Sequence, residues 1–153
     1  MLEEKKVFKG FESGVCCSMA VFGELSKYIG LDQSTAKKIA ASFGSGMYME
    51  EDSWNASPCG CVSATLMALG YFYGNDDIDQ NEKRNLMMLK RKKFIEKFNK
   101  KFGSVNCIQL LNGLNPGNSV ERKKIVERGL MKTVCAPMVC ETCKLALEVM
   151  NIK

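Results

Sequence analysis

From Pro58 to Tyr73 the chain reads Pro-Cys-Gly-Cys-Val-Ser-Ala-Thr-Leu-Met-Ala-Leu-Gly-Tyr-Phe-Tyr, a stretch of helical length that carries no charge and is apolar nearly all round. A helix without a polar face belongs in the middle of a bundle. The rest of the chain must therefore supply helices to cover it.

The hydrophobic spacing supplies them. Lys5 to Phe11 reads as a short lead-in helix with Val7, Phe8 and Phe11 on one face, and Val15 to Ile29 as a second with Met19, Val21, Phe22, Leu25 and Tyr28 near helical spacing. Gly30 ends it. Asp32 is a candidate N-cap for a third helix through Ile39, Ala40 and Phe43, which stops at Gly44-Ser45-Gly46. A polar loop from Met47 to Ser57, holding the sole tryptophan Trp54, then leads to Cys59. After the apolar helix, Asp79 to Phe102 places Phe94, Phe98 and Phe102 four residues apart, and Cys107 follows Gly103-Ser104. Asn115-Pro116-Gly117 marks a turn, Ser119 to Met131 reads as helix, and a last helix starts near Cys135-Ala136-Pro137 and runs to the end. No period-two pattern recurs. The expectation is an all-α, single-domain helical bundle over residues 1–153.

The N-terminus carries mixed charge with no sustained apolar run after it, and no stretch approaches the roughly 20 apolar residues of a membrane span. We expect a soluble cytoplasmic protein. In that compartment thiols are kept reduced, so eight cysteines point to metal or redox chemistry rather than to structural disulfides. The chain has no histidine. That removes the Cys-His nucleophile pairing, imidazole-dependent zinc sites and any c-type haem motif.

Ser57 suits an N-cap and Pro58 the first helical position, which puts Cys59 and Cys61 in the first turn. Free backbone N–H groups and the helix dipole favour a thiolate there. Cys140-Glu141-Thr142-Cys143 sets two more thiols on one helix face, a weaker candidate for a dithiol or part of a metal site. Cys16 and Cys140 also read as small core residues. Residues 82–101 hold nine basic against two acidic side chains, a net of +7 in a chain of +5. Such a strip could engage nucleic acid or an acidic protein, yet its phenylalanines at core spacing describe the solvated face of an amphipathic helix, so nucleic acid is not the expected partner. The ten methionines are mostly core filling, with Met47, Met49 and Met67 placed to add soft ligands for copper(I).

Five segments together resemble the C_GCAxxG_C_C family of redox-active proteins: Gly14 to Val21 with Cys16-Cys17, Ala36 to Met47, Cys59 to Met67, Phe102 to Cys107, and Cys135 to Val139. The resemblance implies an α-helical domain of about this size. It assigns the four characteristic cysteines to Cys17, Cys59, Cys107 and Cys135. Members are often encoded near transporters, so the partner it suggests is a redox protein or a transporter-associated one. Related split-Soret cytochromes carry haem, which does not transfer to a chain lacking Cys-x-x-Cys-His. The chain departs from the pattern at Cys61, where the family has alanine, and at Ala64, where it has glycine.

The expectation is a bundle that gathers cysteines from separate helices into one sulfur-rich site. Its leading function is thiol–disulfide chemistry with Cys59 attacking and Cys61, Cys17, Cys107 or Cys135 resolving, which needs a lowered pKa and access but no histidine. The alternative is an iron–sulfur, zinc or copper thiolate module held by Cys17, Cys59, Cys61, Cys107 and Cys135, with Cys140 and Cys143 in a weaker role. A third reading is an interaction subunit whose basic helix docks an acidic partner, and a homo-oligomer stays open.

Overall fold

Helix ends in this chain are set by residues that are conspicuous in the sequence. The computed structural model describes residues 2–48 and 58–153. Over them the helices are α1 (Glu4–Glu12), α2 (Cys17–Ile29), α3 (Gln33–Ala40), α4 (Gly60–Tyr73), α5 (Asn81–Phe102), α6 (Cys107–Leu110), α7 (Ser119–Glu127) and α8 (Ala136–Met150). Gly30 closes α2 in the left-handed conformation at φ 74°, its N–H bonded to the Ser26 carbonyl. Asp32 caps α3, its carboxylate accepting from the N–H and the hydroxyl of Thr35 at 2.7 and 2.8 Å. Asn106 and Asn118 cap α6 and α7 in the same way.

Three features differ from the sequence expectation. Pro58 does not enter α4. It forms an isolated antiparallel bridge with Asn106, and the N–H of Cys59 donates to the Val105 carbonyl at 2.9 Å, so Cys59 is the N-cap and Cys61 alone lies in the first turn. The proposed cap Ser57, together with Trp54 and Met49, lies outside the described residues. The helix from Ser119 stops at Glu127 rather than Met131, because Gly129 turns left-handed at φ 66° and a π-turn over Met131–Cys135 leads into α8. The four-residue α6 has no counterpart in the sequence reading.

The apolar helix takes the central place: Gly60, Cys61, Val62, Ala64, Thr65, Ala68 and Leu69 of α4 are all buried, and α2, α5 and α8 pack against it. Only at its far end do Tyr71 and Phe72 emerge. Phe94 and Phe98 of α5 are fully buried, with ring centroids 5.7 Å apart and Phe102 4.7 Å beyond Phe98. Each such ring is worth about 1.5–3 kcal/mol on burial. The basic strip is fastened to α8: Lys97 pairs with Glu148 at 2.9 Å, Lys101 with Glu141, and the Lys90 ammonium donates to the Val149 carbonyl at 2.7 Å. No buried residue occurs in α5 before Phe94. Among the described residues no helix is long and apolar enough to cross a membrane.

After α3 the backbone tightens through a 3-10 turn, Ala41–Phe43, and then Ser45, Gly46 and Met47 all take positive φ, at 51°, 61° and 60°. Two of these three are not glycine, so the turn carries backbone strain.

Candidate functional site

Of the five thiols expected at the site, four stand at helix starts and Cys135 at the junction of the π-turn with α8. Cys17 is the first residue of α2, Cys59 the N-cap and Cys61 the second residue of α4, Cys107 the first residue of α6, and Cys135 the residue before α8. Helix starts present backbone N–H groups with no partner inside the helix, and at Cys17 such groups favour the thiolate.

Cys17 lies closest to this arrangement. The Cys61 thiol, foremost, and the backbone N–H groups of Ser45, Ser18 and Cys17 itself all favour its thiolate. Gly60 is required for the approach: a Cβ there would stand 2.5 Å from the Cys17 Sγ and 3.1 Å from both the Phe43 carbonyl oxygen and the Ser18 nitrogen. Gly44 does the same for Cys16, whose Cβ and Sγ would meet an added methyl at 2.5 and 2.7 Å. Cys16 itself caps nothing with its side chain; its Sγ lies 3.1 Å from the Ser18 hydroxyl and reaches toward the Ala41 carbonyl.

Cys61 neighbours both Cys17 and Cys59, and the Cys59 thiol donates to the Met138 thioether at 3.8 Å. The three sulfurs therefore form a contiguous row, Cys17–Cys61–Cys59. Cys107 and Cys135 belong to a second apolar cluster with Leu111, Ile125 and Leu130, near enough to the row for a charge on Cys17 or Cys59 to be felt at both. Met138 is the thioether at the site, a role the sequence reading gave to Met47, Met49 and Met67. Met67 sits partly buried on α4 and Met47 lies in the left-handed turn.

One negative charge is stabilised here, and the others are opposed. The Cys61 thiol, foremost, and the backbone donors lower Cys17 from the ordinary thiol value of 9.0 to about 7, against the cost of burial. Cys61 moves well upward, because it donates to Cys17, contacts Cys59 and is buried. Burial, followed by the neighbouring thiolate charges, raises Cys107 and Cys135. The lowered thiol, Cys17, is the first residue of α2. Adjacent cysteines at the start of a helix, Cys16-Cys17-Ser18, were the available signal.

The Cys140–Cys143 pair is elsewhere. It lies about 7.5 and 12 Å further along α8 than Cys135 by the helical rise, and both thiols are buried. Burial and the buried Glu24 carboxylate push Cys143 up to about 12, and burial raises Cys140 as well. Both thiols are held protonated there, as packing residues are. Among the described residues no group of three or more cysteine, aspartate or glutamate side chains is disposed to hold a metal ion.

Ser45 also borders a cavity of about 310 Å³ walled by Phe8, Phe11, Ile125 and Met131, with Arg122 and Lys132 on its lining. This apolar space lies between the turn that contacts Cys17 and the cluster that holds Cys107 and Cys135.

A family profile described as "Putative redox-active protein (C_GCAxxG_C_C)" matches residues 15–149 of the chain, a span that includes all eight cysteines. No curated protein and no solved structure matches it.

Proposed function

Because the chain belongs to the C_GCAxxG_C_C family of redox-active proteins, we propose that it performs thiol–disulfide exchange with Cys17 as the attacking thiolate and Cys61 as the resolving thiol. The observation that carries this reading is the close seating of the Cys17 sulfur against the start of α4, 2.5 Å from where a Gly60 Cβ would stand, where the Cys61 thiol and backbone N–H groups lower it to about 7. A thiol poised near neutral pH combines thiolate population with nucleophilicity.

The exchange balances without a metal or a base. The Cys17 thiolate attacks one sulfur of a substrate disulfide, forming a mixed disulfide and releasing a substrate thiolate. Cys61 loses its proton to that leaving thiolate and attacks the Cys17 sulfur. A Cys17–Cys61 disulfide forms, the second substrate sulfur departs as a thiolate that takes its proton from solvent, and two electrons have passed from protein to substrate. Cys59, next in the row, is placed to exchange with Cys61 and carry the disulfide onward. Cys107 and Cys135 remain as further partners for Cys59 or Cys17. The substrate is a disulfide on a redox partner protein or a small molecule approaching through the cavity beside Ser45, and a cytoplasmic setting keeps the resting pair reduced.

The metal–thiolate alternative would draw on the same cysteines. Its ligand set lacks three side chains disposed around one point among the described residues, whereas the exchange reading needs only two adjacent sulfurs.

Anaerobic purification followed by thiol counting and iron, zinc and copper analysis tests the choice. A colourless, metal-free protein that loses two thiols reversibly on mild oxidation, with mass spectrometry locating the bond at Cys17 and Cys61, is the expected result. Stoichiometric metal, or a disulfide that excludes Cys17, overturns it.

A further inference from the structure

The N-terminal half of α5 buries no side chain. Residues 81–93 span about 18 Å of helix, tied to the bundle through Lys90, while Asn81 to Leu86, Met88, Leu89 and Arg91 to Lys93 are all exposed. Leu86 and Met88 are each 42% and Leu89 63% exposed. Two large leucines exposed at i and i+3 on an otherwise charged helix have no role in the fold described above.

Their register identifies what covers them. Glu82, Leu86, Leu89 and Lys93 follow one another at spacings of four, three and four, which is a single stripe along one side of a helix. The stripe is acidic at one end, apolar in the middle and basic at the other. Turned end for end it is its own complement. In an antiparallel pair, Leu86 meets the partner's Leu89, Leu89 meets the partner's Leu86, and Glu82 and Lys93 meet the partner's Lys93 and the partner's Glu82. Leu86 also borders a mixed groove with Tyr71, Phe72, Asp76 and Lys83.

We propose that this face of α5 binds a second copy of the chain, forming a two-fold antiparallel dimer through the stripe Glu82–Leu86–Leu89–Lys93. A two-fold interface requires a self-complementary surface, and the order acid–leucine–leucine–base supplies it. An anionic protein or membrane surface would be recognised by the excess of lysine and arginine alone. It would gain nothing from Glu82 at the edge or from leucines spaced symmetrically about the centre. The dimer lies at the far end of α4 from the cysteine row, so both sites of the pair stay open to substrate.

Sedimentation equilibrium of the full chain in reducing, metal-free buffer reads this directly, since reductant excludes intermolecular disulfides. The wild-type protein should show a concentration-dependent monomer–dimer equilibrium. Leu89→Lys should weaken it by about a hundredfold, because a two-fold interface feels the substitution twice. Glu82→Lys and Lys93→Glu should each weaken it by about tenfold, and the double variant should recover most of the loss because it exchanges the two ends of the stripe. All four positions are exposed, and unchanged circular dichroism confirms that the variants fold. A chain that is monomeric at high protein concentration, or a dimer that survives Leu89→Lys, overturns the proposal. So does a double charge swap no better than the single ones; any of these leaves the patch to an anionic partner or surface.

Discussion

Replacing Cys61 with alanine isolates the interaction on which the exchange reading depends. Cys17 is lowered from 9.0 to about 7, which corresponds to roughly a hundredfold in the ratio of thiolate to thiol. The thiol of Cys61 is the foremost cause, burial opposes it, and the N–H groups of Ser45, Ser18 and Cys17 supply the rest. In Cys61→Ala the three backbone donors face the cost of burial alone, and the midpoint of Cys17 should climb by about one unit, leaving roughly a tenth of it ionised at pH 7. The assay is iodoacetamide labelling of reduced protein across a pH series, with the Cys16–Cys17 peptide followed by mass spectrometry. In the wild type the labelling rate rises as pH climbs through about 7 and levels off above, since only the thiolate reacts. Cys61→Ala shifts the curve to higher pH and slows labelling at pH 7 about fivefold. Cys61→Ser restores a donor and should hold the midpoint near the wild-type position. An alanine variant with an unmoved midpoint, or a serine variant displaced as far as alanine, would show that the lowered pKa does not come from this hydrogen bond.

Gly60→Ala forces a methyl group to within 2.5 Å of the Cys17 sulfur; urea unfolding under reducing conditions should register a loss of about 1–3 kcal/mol, and Cys17 labelling should change with it. Asn106→Ala removes the acceptor for the Ile108 and Gln109 N–H groups, costing about 1 kcal/mol and speeding the modification of Cys107 as its short helix frays. Cys143, pushed up to about 12, should resist iodoacetamide in the native protein throughout the neutral range and label only when the chain is unfolded; brisk native labelling would contradict its burial. Phe98→Ala should destabilise the bundle by about 3–5 kcal/mol, measured by the same urea titration, with the helix content of the surviving folded state preserved.

Local chemistry made much of the fold legible. Gly30 and Asp32 act within a residue or two of where the chain must turn, so their roles follow from composition alone. The all-round apolar character of α4 had a single solution, and Phe94 and Phe98 needed only helical spacing to be placed in the core. Pro58 misled because the bridge to Asn106 is made by residues 48 apart, and no window of sequence contains both. The same separation governs the site. Family resemblance marked Cys17, Cys59, Cys107 and Cys135, but the lowered thiol depends on the Ser45 N–H, on Gly60 leaving room, and on Cys61, which lie on other segments. The exposed stripe on α5 was hidden for a different reason: charge dominated the composition of residues 82–101, and Leu86 and Leu89 read as ordinary members of an amphipathic face until their exposure was known.

A row of sulfurs built from helix starts has no element of its own. Every thiol in it stands where a loop becomes a helix, and Cys17, Cys59 and Cys61 come together only when α2 has docked on α4. A chain still emerging from synthesis, or one that has lost the central helix, holds the same eight cysteines as ordinary and independent thiols. Its chemistry would switch on with the last packing step, so thiol reactivity in this protein doubles as a gauge of complete assembly, readable one residue at a time.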